Sequence, residues 1–278
     1  MKKILMSLLA IFMVAGGTWY ATNAFFSDTE TSTGNVLGAG SIDLKVGSNG
    51  YYNGEENTGT TWGLGNISET EFFFNFTDLK PGDEGENTID LKVEDNDAWA
   101  CAKITLTQND ENTAIDPEKD AGDDPDSGED LFDGELAQNL HFVWWPDDGN
   151  NVLEESEAAK IHLNDKLLTL MTFDDTDDKE LDLTLADSVW NFFEDAPGPV
   201  PLTGNTEYHI GVAWCFGELT VSALPDGTGT DPTVNSGILC DGQNVDNTSQ
   251  TDLVEGTLEF TAVQYRNNEQ FLCPEHEI

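Results

Sequence analysis

The chain has 278 residues, 54 acidic against 11 basic side chains, and a formal net charge of −43 at pH 7. Binding to nucleic acid or anionic lipid depends on Lys and Arg, so this balance excludes both and favours divalent cations as counter-charges. A hydrophobic share of 38%, with 15 Phe and 7 Trp, still supplies a sizeable core and rules out a disordered acidic tail.

Lys2 and Lys3, the apolar run Ile4 to Val14 and the small and polar residues after it have the order of a secretory signal peptide, predicted over residues 1–24. The run is shorter than the about 20 helical residues that cross a hydrocarbon core. Thr22-Asn23-Ala24 places small residues where a signal peptidase needs them, whereas Trp19 spoils Trp19-Tyr20-Ala21, so the predicted cut lies between Ala24 and Phe25. An uncleaved anchor over Ile4 to Phe26 is the competing expectation. Either way, membrane contact is expected only through the leader. Residues 25–40 then read as an extended segment. Phe25, Ser27, Thr29, Thr31 and Thr33 share one face; Phe26, Asp28, Glu30 and Ser32 share the other.

From residue 41 onward, period-two alternation recurs between Gly, Asn, Asp and Pro clusters. Ile42, Leu44 and Val46 open it, and Phe72, Phe74 and Phe76 follow, before the turn Asp78 to Asp83. Next come Ile89, Leu91 and Val93, then Ala100, Ala102, Ile104 and Leu106, with Trp99 and Cys101 on the opposite face. Leu140 to Trp145, Tyr208 to Phe216 and Thr257 to Tyr265 complete the set, with Trp144 and Trp145 expected in the core. The pattern predicts an all-β, jelly-roll-like two-sheet sandwich over residues 41–278. Asp116 to Glu135 reads as a solvated loop and Glu154 to Leu170 as a short surface helix. Together they predict an acidic loop and short-helix insertion at about residues 108–205.

Cys101, Cys215, Cys240 and Cys273 are even in number, widely spaced and free of any C-x-x-C pair. In an exported chain this predicts two disulfides, each contributing about 2–4 kcal/mol, with all three pairings open. Calcium is the one cofactor expected, at Asp147 to Glu157. There Asp148 and Asn150 fall on the third and fifth positions of an EF-hand-type loop, Leu153 on the apolar eighth and Glu157 on the closing twelfth. Pro146 replaces the first Asp and Asn151 the turn glycine; Asp147 is a substitute ligand, and Glu154 lies in the same run. A plain polar turn is the competing reading. Asp123 to Asp126 and Asp174 to Asp178 are further acidic clusters, able to hold calcium only diffusely. Sequons at Asn66 and Asn247 mark possible N-glycosylation; a third, at Asn75, falls inside the aromatic strand. His141, His162, His209 and His276 are scattered singly. No H-E-x-x-H, G-x-S-x-G, phosphate-cradling or dinucleotide motif occurs, so no catalytic residue is predicted.

The leader end Gly16-Gly17-Thr18-Trp19, the segment Ala24-Phe25-Phe26-Ser27-Asp28-Thr29 and the strand Ala39-Gly40-Ser41-Ile42-Asp43-Leu44 fall in a specific order. This order closely resembles the TasA/camelysin family, whose leaders are cut by a SipW-type signal peptidase. Leu79-Lys80-Pro81-Gly82-Asp83 resembles the family's turn. The resemblance covers the first third of the chain. It implies a secreted jelly-roll subunit of biofilm-matrix fibres or cell-surface assemblies, whose partners are signal peptidase during export and copies of itself afterwards. It further implies that the freed N-terminal segment adds as a strand to the next subunit; the competing reading is that residues 25–33 are a tether or pair within their own domain. The alternatives are a camelysin-like extracellular metalloprotease, which the resemblance alone supports, and a calcium-dependent surface adhesin or surface-layer component.

Overall fold

The computed structural model describes residues 27–31, 42–123, 131–163, 179–194 and 196–274. The leader, Ala24, Phe25, Phe26, Thr33, Ala39 to Ser41 and the cluster Asp174 to Asp178 lie outside the described residues. In chain order the elements are β1 (Ser27–Thr31), β2 (Asp43–Tyr52), β3 (Glu55–Glu56), β4 (Trp62–Gly65), β5 (Glu84–Glu94), β6 (Ala98–Asp110), α1 (Asp116–Ala121), α2 (Leu136–Asn139), β7 (Leu140–Asp147) and α3 (Glu155–Leu163). They continue with β8 (Glu180–Ala186), β9 (Trp190–Asn191), β10 (Ala196–Pro197), β11 (Glu207–Phe216), β12 (Glu218–Val221), β13 (Ile238–Asp241) and β14 (Leu253–Gln264).

The protein is an all-β sandwich. One sheet has the order β1-β14-β6-β8-β9-β10 and the other β3-β2-β5-β11-β7, with β4 also on β2; every ladder between these strands is antiparallel. Alternate residues of both sheets meet in one core. Leu44, Val46, Ile89, Leu91, Val93, Ile210 and Val212 come from the second sheet; Ala100, Ala102, Leu183, Leu185, Leu258, Phe260 and Ala262 come from the first. The small alanines of β6 lie among these larger chains, as interdigitating layers require.

The second sheet is also covered from outside. Val143, Trp145, Ala213 and Cys215 point away from the main core and are buried by Leu153, Ala158 of α3, Leu219 and Ile238. Trp144 and Trp145 therefore fill two cores on opposite faces of β7, and both are at most 2% exposed. Gly211 has to be glycine, because a Cβ there would stand 2.1 Å from the Trp145 ring.

Three expectations need correction. Phe72, Phe74 and Phe76 do not alternate on a strand. Phe73 enters the core and Phe72 is exposed, because the segment runs as a strap whose carbonyls bond to side chains: Asn87 donates to Phe73 O at 2.9 Å and Trp62 to Phe72 O at 3.4 Å. The stretch 108–205 is not a decoration, since it supplies β7 to one sheet and β8, β9 and β10 to the other. Asp116 to Glu135 is not simply solvated either: it contains α1, and Glu118 within that helix is fully buried.

Both cysteine pairs are disulfide-bonded. Cys101 of β6 joins Cys273, and Cys215 of β11 joins Cys240 of β13. The first staples the C-terminal segment to β6, whose Trp99 is fully buried and donates its indole N–H to Asn268 O at 2.6 Å. The second holds the β12–β13 hairpin to the second sheet. Disulfides of this kind persist in oxidising compartments. No helix among the described residues is long and apolar enough to cross a membrane.

Candidate functional site

The predicted N-terminal strand segment is partly described. Ser27, Thr29 and Thr31 lie in β1, which pairs with β14 in the register Ser27 to Val263, Thr29 to Thr261 and Thr31 to Glu259. Among the described residues β1 is a terminal strand with a single neighbour, whereas the other edge of β14 is saturated by β6. The turn Leu79 to Asp83 is a clamp. The Asp83 carboxylate accepts from Tyr52 Oη at 2.6 Å, Asn53 Nδ2 at 3.0 Å and the Lys80 amide at 2.7 Å. Desolvation opposes its ionisation, but these donors together hold it below the usual carboxylate range. Burial and then Asp83 push the Tyr52 phenol up to about 12.

The loop Asp147 to Glu157 gathers Asp147, Asp148 and Glu157, with one oxygen of each within 4.8 Å of the others. Its carboxylates already have donors. Asp147 accepts from the amides of Gly149 and Asn151 at 3.1 and 3.0 Å and from the Trp145 indole at 3.3 Å. Glu157 accepts from the amides of Asp148 and Glu154, both at 3.0 Å. Glu154 turns away to the amides of Gly227 and Gly229 at 2.8 and 2.7 Å, and Asn150 Oδ1 accepts from Val152 N at 2.7 Å. Asn151 takes the left-handed conformation expected of the missing glycine, at φ 59°. Its amide is buried without a partner, alone among the described side chains of the loop. The arrangement works as a set of backbone caps. Desolvation still pushes Glu157 up to about 7.

A second acidic group joins Asp123, from the predicted cluster Asp123 to Asp126, to four carboxylates that the sequence pattern does not single out. Glu111 follows β6, Glu118 lies in α1, Asp123 follows that helix, Glu135 precedes α2 and Asp252 precedes β14. One oxygen each of Glu111, Glu118 and Asp252 lie within 4.8 Å of one another, and so do those of Glu111, Asp123 and Glu135. Two ionised carboxylates at that distance repel by roughly 3–4 kcal/mol at an effective dielectric of about 20. Burial and then the Asp252 charge push Glu111 up to about 8. Burial and then Asp123 push Glu135 up to about 7. Asp252 rises to about 6 through burial, although the amides of Glu135 and Leu136 donate to it at 2.6 and 2.9 Å.

No family model and no curated protein matches this chain. His209 Nδ1 sits 2.7 Å from Asp90 Oδ1, with Glu207 completing that group. It is the only histidine placed with two carboxylates among the described residues, and its imidazole is raised in pKa by the Asp90 bond. Of the sequons, Asn66 and Asn247 are both exposed; Asn66 accepts from Lys45 at 2.6 Å and Asn247 from Gln250 at 2.9 Å.

Proposed function

We propose that this chain is an exported structural subunit which joins copies of itself into extracellular fibres or cell-surface assemblies by exchanging its N-terminal strand, as the TasA/camelysin resemblance implies. The observation that supports this most is the place of β1: a five-residue strand at a sheet edge, paired among the described residues with β14 alone. The same main-chain bonds form whether the strand comes from its own subunit or from another, so exchange conserves them while each chain gains a neighbour. A head-to-tail contact of this kind does not close on itself and yields a filament. The leader-like start and the two disulfides fit a protein that works outside the cytoplasm.

The register gives the test. Thr29 stands directly opposite Thr261, and all four native cysteines are already paired. Cross-strand neighbours lie about 4.5–5.5 Å apart, within disulfide reach. Oxidised Thr29→Cys/Thr261→Cys protein is expected to run as a ladder of covalent oligomers on a non-reducing gel. Only internally crosslinked monomer at every concentration, with no fibres by electron microscopy, would overturn strand exchange.

A further inference from the structure

The end of the β6–β14 ladder concentrates negative charge that donors among the described residues satisfy only in part. Its last registered pair is Leu253 with Asp110, so Asp252 and Glu111 continue the two strands face to face. Like charges directly opposite each other destabilise a sheet. Glu118, Asp123 and Glu135 are then folded onto the same spot by α1, the turn after it and the start of α2.

Glu111 is the decisive residue. It is 1% exposed, and among the described residues no N–H or O–H of another side chain or of the backbone donates to either of its carboxylate oxygens. One oxygen each of Asp123, Glu135 and Asp252 is buried in the same condition. The contrast with Glu118 is informative, because its oxygens meet the Ile115 amide and, at 3.1 Å, Thr251 Oγ1. Buried charges are paired or they coordinate metals. The largest charges acting on Glu111 are other carboxylates: Asp252, Asp123 and Glu118.

We propose that Glu111, Glu118, Asp123, Glu135 and Asp252 form a calcium site, with Glu111 as the ligand common to both sides of the cage. An all-oxygen, carboxylate-rich donor set selects a hard cation over zinc or copper. Calcium takes six to eight oxygens at about 2.3–2.6 Å in a flexible arrangement, so its opposite ligands stand up to about 5 Å apart. That matches each of the two triads, whose three atoms fall within 4.8 Å of one another. Magnesium demands a tighter octahedron and keeps its waters, which an interior cage of large carboxylates does not favour. The bound ion ties α1, the turn before α2 and the corner at Asp252 to the end of the sheet that carries β1. Protons are the competing neutraliser, since Glu111 and Asp252 lie close enough to share one. Calcium displaces them. The site stands independently of strand exchange.

The test is calorimetric titration of calcium into the purified, chelator-stripped full chain near neutral pH, together with thermal melting. A saturable heat is expected, with a rise in melting midpoint of about 5 °C once calcium is well above its dissociation constant. Glu111→Gln is expected to abolish both and to melt higher than the parent in chelator, because a neutral amide relieves the repulsion. Glu135→Gln, at the half-buried rim, is expected to fold normally and bind calcium about tenfold more weakly. Asp148→Asn, in the other acidic loop, is expected to keep the full response. No heat and no shift in the parent would overturn the site. So would a calcium response undiminished in both Glu variants, or one lost in Asp148→Asn and kept in Glu111→Gln.

Discussion

The two acid-rich regions of this protein have similar composition and opposite construction. In the loop Asp147 to Glu157, backbone amides are aimed at the carboxylates, so Asp147, Glu154 and Glu157 each hold at least two donors. At the end of the β6–β14 ladder, carboxylates are aimed at one another, and the Glu111 carboxylate holds no N–H donor among the described residues. Counting acidic residues does not separate the two cases; counting donors does. Charge that the backbone satisfies stabilises a turn, whereas charge left without donors needs an ion or a proton.

Substitution at Asp147 breaks the comparison from one side, with the largest effect. Asp147→Ala leaves two amides and the Trp145 indole without their acceptor in a buried setting. The expected cost is about 3 kcal/mol, equal with and without calcium, measured by urea unfolding in both conditions. A loss that appeared only in calcium would make this loop the metal site instead.

Acidity sharpens the comparison from the other side. Glu111, Glu135 and Asp252 have folded pKa values near 8, 7 and 6, all above their ordinary ones. The native state therefore binds more protons than the unfolded chain across this window, and stability is lost as pH rises from the ordinary carboxylate range through about 8. In chelator the melting midpoint is expected to fall over that range. Calcium flattens the decline by replacing the protons. A residual slope persists in Glu111→Gln, because burial also raises Glu86 to about 8 and Glu157 to about 7. A midpoint that rose with pH in chelator would refute this account of the cage.

The smallest expected effect is at Asp148. It is exposed and, among the described residues, accepts from Asn150 N alone, at 3.2 Å, so Asp148→Asn is expected to shift stability by under about 0.5 kcal/mol in a urea titration.

Much of the sandwich was legible. The alternating runs at Ile42, Ile89, Ala100, Tyr208 and Thr257 fall in β2, β5, β6, β11 and β14, because burying one face of a pleated strand forces that period. The Phe72 to Phe76 run misled for the same reason. Its alternation exists in the sequence, but Phe73 is the side chain that fits the core, and the backbone finds side-chain donors in place of a ladder. The cage was hidden by distance. Glu111 and Asp252 become neighbours only through the pairing of Asp110 with Leu253, which no local spacing announces. One local clue existed: Pro117 followed by Glu118, a helix start with a capping glutamate, inside a stretch otherwise composed like a loop. The pairing of cysteines, one of three possibilities, likewise needed the sheet order.

The Cys101–Cys273 bond divides the chain mechanically. Everything between those residues is locked in a covalent ring, while β1 to β5 lie ahead of it. A tensile load entering at β1 and leaving near the C-terminus can unspool only the residues before Cys101, roughly 250 Å of slack at about 3.4 Å per residue. Beyond that length, force passes through sulfur, and a fibre of such subunits would stretch to a fixed limit and then stiffen.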